Sequence, residues 1–89
     1  MYTTYILKSA KTGRYYVGYS GNLEQRLEKH NAGYSRATRS GIPWELVWSI
    51  DCESKTRAIK LERWIKGMKS KAFIEKIIRE EVDLKDVIR

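Results

Sequence analysis

Between Tyr15 and His30 the chain reads Tyr-Tyr-Val-Gly-Tyr-Ser-Gly-Asn-Leu-Glu-Gln-Arg-Leu-Glu-Lys-His. Phenols come first, then two glycines, then a guanidinium and an imidazole, Arg26 and His30, four residues apart. On an extended backbone Tyr15, Val17 and Tyr19 face one side while Tyr16 and Gly18 face the other. From Leu23 the spacing becomes helical. Leu23 and Leu27 lie one turn apart on a core-facing stripe, and Arg26 and His30 share a neighbouring face. Asn22 is placed to accept the free amides of the first turn, and Glu24 adds an acid there. Phenols from a strand, with a guanidinium and an imidazole from a helix, are groups that could hold and attack a phosphate ester.

A carboxylate enters further along. Glu62 is the only acid from Lys55 to Lys71. On a helix it projects between Ala58 and Ile59, at the margin of an apolar arc formed by Ala58, Leu61, Trp64, Ile65 and Met68. Its polar neighbours Lys55, Lys60, Arg63, Lys66 and Lys69 are all basic.

Each group has an ordinary alternative. Tyr5 and Tyr16 at strand positions serve equally as packing residues with one satisfied hydroxyl. Arg26 fits a solvated helix surface, and His30 fits a favourable cation near a helix C-terminus. Glu62 fits an exposed partner of Arg63 or Lys66. Singly these readings lead; jointly they weaken.

Eighty-nine residues make one domain, 1–89, with a single modest core. The hydrophobic share of 42% is spread along the chain and argues for a globular fold. No run approaches the roughly 18 apolar residues of a membrane span, and the N-terminus lacks a signal-peptide pattern. Cys52 stands alone, so it forms neither an internal disulfide nor a metal cluster. A reducing compartment, the cytoplasm, is the expectation.

The net charge is +7, unevenly spread. Residues 8–39 carry seven bases and two acids, and residues 55–71 carry seven bases and one acid. The intervening 40–54 has three acids and no base. Two basic segments around an acidic one indicate a basic face and point to a polyanion partner.

In chain order, Tyr2 to Lys8 reads as a strand with Thr3, Tyr5 and Leu7 on one face and Thr4 and Ile6 on the other. Ser9 to Gly13 is a turn, and Arg14 to Tyr19 completes a hairpin. A helix follows from Leu23 to Ala32, stopped at Gly33. Residues 34–43 read as a loop holding Arg36 and Arg39 with three hydroxyls and no acid. That suits a mobile phosphate-contacting segment or an ordinary solvated connection. Trp44 to Ile50 is a third strand, with Trp44, Leu46, Trp48 and Ile50 on one face. Ser54 caps a helix over Lys55 to Met68, and a last helix runs from Lys71 to about Glu81 with Phe73, Ile74, Ile77 and Ile78 inward. The tail, 79–89, carries no functional signal. The order ββ-α-β-α-α predicts an α+β fold, a small three-stranded antiparallel sheet flanked by helices.

At this point the chain resembles the GIY-YIG nuclease superfamily, above all its small stand-alone bacterial members. The resemblance covers about 2–78. Thr4-Tyr5-Ile6-Leu7 falls where the GIY segment lies, and Tyr16-Val17-Gly18 where YIG lies. Asn22-Leu23 with Arg26-Leu27 follows, then His30-Asn31, Gly33, Pro43, and Ala58 with Glu62. The GIY glycine is absent, since Thr3 and Thr4 precede Tyr5. Position 19 is a tyrosine where several relatives carry a lysine that assists the phosphate. The family's late asparagine has no clear counterpart.

The resemblance implies a divalent-metal-dependent endonuclease that cuts phosphodiester bonds, with DNA as the expected substrate in repair or processing. Carried over, Tyr5 and Tyr16 are the motif tyrosines, Arg26 binds phosphate, and Glu62 holds one Mg²⁺ or Mn²⁺. His30 matches a histidine found in part of the family. Tyr19, Arg36, Arg39, Lys66 and Lys69 are the expected nucleic-acid contacts. A phenol with its ordinary pKa near 10 is a weak base at neutral pH. Tyr16 is the first choice to deprotonate the attacking water, with Tyr5 orienting it and His30 or Tyr5 as alternatives. The chain leaves no room for a separate recognition domain, so weak sequence preference, a protein partner or a homodimer is expected. Two other readings stand beside the enzyme. One is a nucleic-acid-binding module with catalysis slight or lost; the other is a protein-binding scaffold.

Overall fold

The computed structural model describes residues 1–82 and 84. The elements are β1 (Tyr2–Ser9), β2 (Tyr15–Ser20), α1 (Leu23–Asn31), β3 (Trp44–Cys52), α2 (Lys55–Gly67) and α3 (Lys71–Ile78), with one 3-10 turn at Arg39–Gly41 before β3. The sheet is antiparallel in the order β2-β1-β3, so β2 and β3 are both edges. This is the α+β arrangement that the alternation and turn signals predict.

The middle strand is buried on both faces, from Thr4 through Leu7. On one face Ile6, Val17 and Cys52 pack with Ala58, Leu61 and Ile65 of α2 and with Ile77 of α3. Leu84 joins that cluster. On the other, Tyr5, Leu7 and Trp44 pack with Leu23 and Leu27 of α1. Full burial of one such aliphatic side chain contributes about 1.5–3 kcal/mol. The Thr4 hydroxyl donates to the Ala58 carbonyl at 2.9 Å, which pins α2 to the sheet and satisfies the buried hydroxyl.

Each helix starts where its cap stands. The side chains of Asn22, Ser54 and Ser70 accept the amides of Gln25, Arg57 and Phe73. After α1 the chain reverses at Gly33, whose φ of +82° suits a residue without Cβ.

Three expectations need correction. Trp44, Leu46, Trp48 and Ile50 do not share a face. Ile6 pairs with Trp48 but Leu7 pairs with Leu46, so Val47 is an extra residue in β3. This bulge flips the alternation. Trp44 joins the Tyr5 face, Leu46 is 41% exposed, and Trp48 and Ile50 pack on the α2 face. Met68 caps α2 and is 45% exposed, not core. Helix α3 ends at Ile78, ahead of about Glu81, because Glu80 takes a left-handed conformation with φ of +58°. Of the tail, 83 and 85–89 lie outside the described residues.

The 34–43 segment is tied to the core. Trp44 Nε1 donates to the Thr38 carbonyl at 2.7 Å, and the indole lies against Gly41, where a Cβ would collide with the ring. Asn31 clamps the segment's two ends. Its Nδ2 donates to the Trp44 carbonyl at 3.1 Å, and its Oδ1 accepts the Trp44 amide at 2.6 Å. Thr38 is fully buried and points inward, while its neighbours Arg36, Ala37, Arg39 and Ser40 stay exposed. No helix among the described residues is long and apolar enough to cross a membrane.

Candidate active site

Tyr5 in β1 sits directly across from Gly18 in β2. A Cβ on Gly18 would come within 2.6 Å of the Tyr5 hydroxyl oxygen. The glycine therefore opens a lane through which the phenol reaches the β2 edge. Tyr16 lies on the same face, one alternation earlier.

A cleft of about 350 Å³ opens there. Tyr5, Tyr16, Gly18 and Ser20 line it from one face of the sheet, with Arg26 from α1. Tyr19 and Glu62 reach it from the opposite face, where α2 packs. The cleft thus straddles the edge strand, and residues far apart in sequence meet around β2. The Glu62 side chain is 14% exposed and approaches the Lys66 ammonium at 3.7 Å. Lys66 Nζ also stands 5.6 Å from the centre of the Tyr16 ring, within cation–π range.

His30 lies behind this wall. It is 0% exposed, points inward from the end of α1, and packs edge-to-face on Tyr16 with centroids 4.9 Å apart. Its Nε2 meets the Tyr5 hydroxyl at 3.1 Å, and its Nδ1 meets Thr38 Oγ1 at 2.8 Å. Thr38 Oγ1 also lies 3.4 Å from the Ser35 carbonyl. His30 thus links Thr38 to Tyr5 through its two ring nitrogens. Burial pushes the His30 pKa down, and the Arg26 charge lowers it further. Burial pushes the Tyr5 phenol up, against the opposing pull of Arg26. Both groups rest neutral at pH 7, with the Tyr5 hydroxyl held against His30 at the back of the cleft.

Five of the expected residues line the cleft: Tyr5, Tyr16, Tyr19, Arg26 and Glu62. Lys66 stands at its rim, and His30 is one layer deeper. Arg36 and Arg39 are exposed and do not line it, and Arg39 Nε donates to the Gly33 carbonyl at 3.1 Å. Lys69 lines a different recess. Thr38, which orients His30, carried no signal in the sequence because only the folded 34–43 segment brings it inward. Glu62 is the cleft's one carboxylate, and the described residues hold no group of three acids, histidines or cysteines that could cage a metal. One carboxylate beside a roomy polar cleft nonetheless fits a Mg²⁺-type site, which is completed by waters and substrate oxygens.

Residues 1–76 match the family model described as the GIY-YIG catalytic domain. The chain belongs to the GIY-YIG family. It is 35% identical over 83 residues to a UPF0213 protein of Bacillus licheniformis, covering 89% of this chain and 84% of that protein. A UPF0213 protein of Lactococcus lactis subsp. lactis is 42% identical over 67 residues, which is 73% of this chain and 62% of the relative. The solution NMR structure of a UPF0213 protein from Bacillus halodurans superposes with a TM-score of 0.56 at 30% identity, covering 89% and 84% of the two chains. This GIY-YIG chain is therefore of nuclease-family type and shares its architecture with a UPF0213 protein.

Proposed function

We infer that the protein is a divalent-metal-dependent endonuclease that hydrolyses phosphodiester bonds in DNA with weak sequence preference, in repair or processing. One observation carries the reading: Tyr5, Tyr16, Arg26 and Glu62, from four separate elements, converge on one cleft at the open edge of the sheet. A single-domain chain with an excess of seven positive charges suits a polyanionic substrate.

Glu62 would hold one Mg²⁺ or Mn²⁺, which when bound supplies charge neutralisation at the scissile phosphate and the departing oxygen. Arg26 grips the non-bridging oxygens through paired N–H donors. The attacking water is positioned by the Tyr5 hydroxyl, which His30 Nε2 holds in place at 3.1 Å. Tyr16 takes the water's proton. Its phenol lines the cleft, and the Lys66 ammonium stands 5.6 Å from the centre of its ring. His30 is a positioning residue in this scheme. Burial makes its imidazole a poor proton store, so it fixes Tyr5 in place of the proton-accepting role. Tyr19, Lys66 and the more distant Arg36, Arg39 and Lys69 are the proposed substrate contacts. The buried, free Cys52 fits a reducing cytoplasm.

The second reading is a binding module with little catalysis. It draws on Lys66, whose ammonium already sits near the carboxylate that a metal needs. Cleavage of labelled single-stranded, duplex, flap and four-way-junction DNA with Mg²⁺, Mn²⁺ or EDTA separates the two. Metal-dependent products that vanish in Glu62→Ala, with binding retained, are expected. Binding without cutting in every lane selects the module, and no salt-sensitive binding at all selects a protein scaffold.

A further inference from the structure

A second recess, of about 310 Å³, lies at the start of β2. Arg14, Tyr15, Lys69, Ser70, Lys71 and Ile74 form its walls. Tyr15 and Tyr16 are adjacent but face opposite sides of the strand, so this recess opens on the α2–α3 side while Tyr16 turns to the cleft. Lys8 and Lys71 place their ammonium groups 5.7 and 5.9 Å from the centre of the Tyr15 ring. Arg14 is fixed by neutral partners, Thr12 Oγ1 at 3.4 Å and Ser40 Oγ at 3.2 Å. Two cations, Lys8 and Lys71, thus flank one aromatic ring, and two more, Arg14 and Lys69, line the same recess. Among the described residues the ion pairs are Arg57–Glu53, Lys66–Glu62 and Arg79–Glu81, and none of the four cations takes part. The nearby acid, Glu75, accepts the Tyr15 hydroxyl at 3.1 Å. Glu75 brings one carboxylate to a group of four cations, so a positive excess remains, and a bound anion offsets its repulsion.

The recess and the cleft lie along the same edge strand, β2. Tyr15 is three residues from Gly18, about 10 Å at the rise of a strand. Lys66 stands between them, over Tyr16. A basic track therefore runs along the β2 edge from the cleft to the Tyr15 recess. We propose that the Arg14–Tyr15–Lys71 recess holds the backbone phosphates of the same nucleic-acid strand that occupies the cleft, beyond the nucleotides bound there. The proposal rests on the nuclease reading and adds where the strand goes. Length of strand, more than base identity, then sets affinity.

The test uses the full chain and the double variant Arg14→Gln/Lys71→Gln, both exposed positions outside the cleft. Binding of a labelled trinucleotide and of a long single strand is measured by anisotropy across a salt series in EDTA, with cleavage of the trinucleotide-sized site followed separately in Mg²⁺. The expected result is a long-strand salt slope flatter by about 1.4, at about 0.7 per lost single-strand phosphate contact, with the trinucleotide unaffected. Equal slopes for wild type and variant on the long strand overturn the proposal and leave the nuclease reading standing. A wild-type protein that binds neither strand overturns both. Amide NMR shifts at Tyr15 and Lys71 that inorganic phosphate saturates, together with no strand-length effect, also overturn it, in favour of a small-anion site.

Discussion

The Tyr5 phenol lies over Gly18, so close that a methyl group on the glycine would sit 2.6 Å from the phenolic oxygen and 2.8 Å from Cζ. The two residues are direct cross-strand partners. The glycine therefore does more than relax the backbone: its missing side chain is the space that the phenol fills. Gly18→Ala should push Tyr5 off His30. Overpacking of this kind costs roughly 1–3 kcal/mol. Thermal unfolding should report a loss in that range, and cleavage should fall by at least about tenfold, the effect of losing an oriented group near 1.4 kcal/mol. A variant as stable and active as wild type would show that Tyr5 has another route to the cleft.

Tyr16→Phe and Tyr5→Phe should separate the proton acceptor from the positioning phenol. With Tyr16 as acceptor, its loss should lower kcat by about 10²–10⁴-fold, the usual contribution of a general base. Tyr5→Phe should lower kcat by less, because the water keeps its proton acceptor. Pre-steady-state cleavage decides it, and the reverse order would exchange the two roles.

His30 is the chain's one histidine, which makes its titration separable. Its pKa is lowered on folding by burial and by Arg26. The unfolded chain therefore binds the proton more readily than the native one. Stability is fully present above the ordinary imidazole pKa of about 6.5 and is lost as pH falls from there through the folded value. Melting temperature should decline between pH 7 and 5 in wild type and stay flatter in His30→Gln. Equal slopes would place the acid sensitivity elsewhere.

The Asn31 clamp on Trp44 is independent of the cleft chemistry. Asn31→Ala removes two hydrogen bonds and leaves a backbone amide and carbonyl without their partners. A loss of about 2 kcal/mol is expected, at roughly 1 kcal/mol per bond. Denaturant unfolding measures it, and a loss under half that value would show that water replaces the side chain.

Lys66 competes for Glu62. Replacing it by Gln removes the ammonium 3.7 Å from the carboxylate. The metal concentration for half-maximal cleavage should fall severalfold. An unchanged metal titration would mean that the 3.7 Å contact is too solvent-exposed to matter.

Local chemistry was legible along the chain. Asn22 and Ser54 mark helix starts because their side-chain oxygens match free first-turn amides, and Gly33 marks a stop because its backbone must turn left-handed. Strand alternation separated Tyr5 and Leu7 from Thr4 and Ile6. These are short-range preferences, carried by each residue's own backbone and neighbours. Tertiary contact decided the rest. The Trp44-Leu46-Trp48-Ile50 pattern suits an unbroken strand, and only pairing with β1 inserts Val47 and sends the tryptophans to opposite faces. Helical spacing puts His30 beside Arg26, but its depth depends on Thr38 being folded over it by Trp44. Which lysines meet the cleft and which the Tyr15 recess depends on the joint between α2 and α3. Register and docking are set by distant partners, and no local pattern encodes their distance.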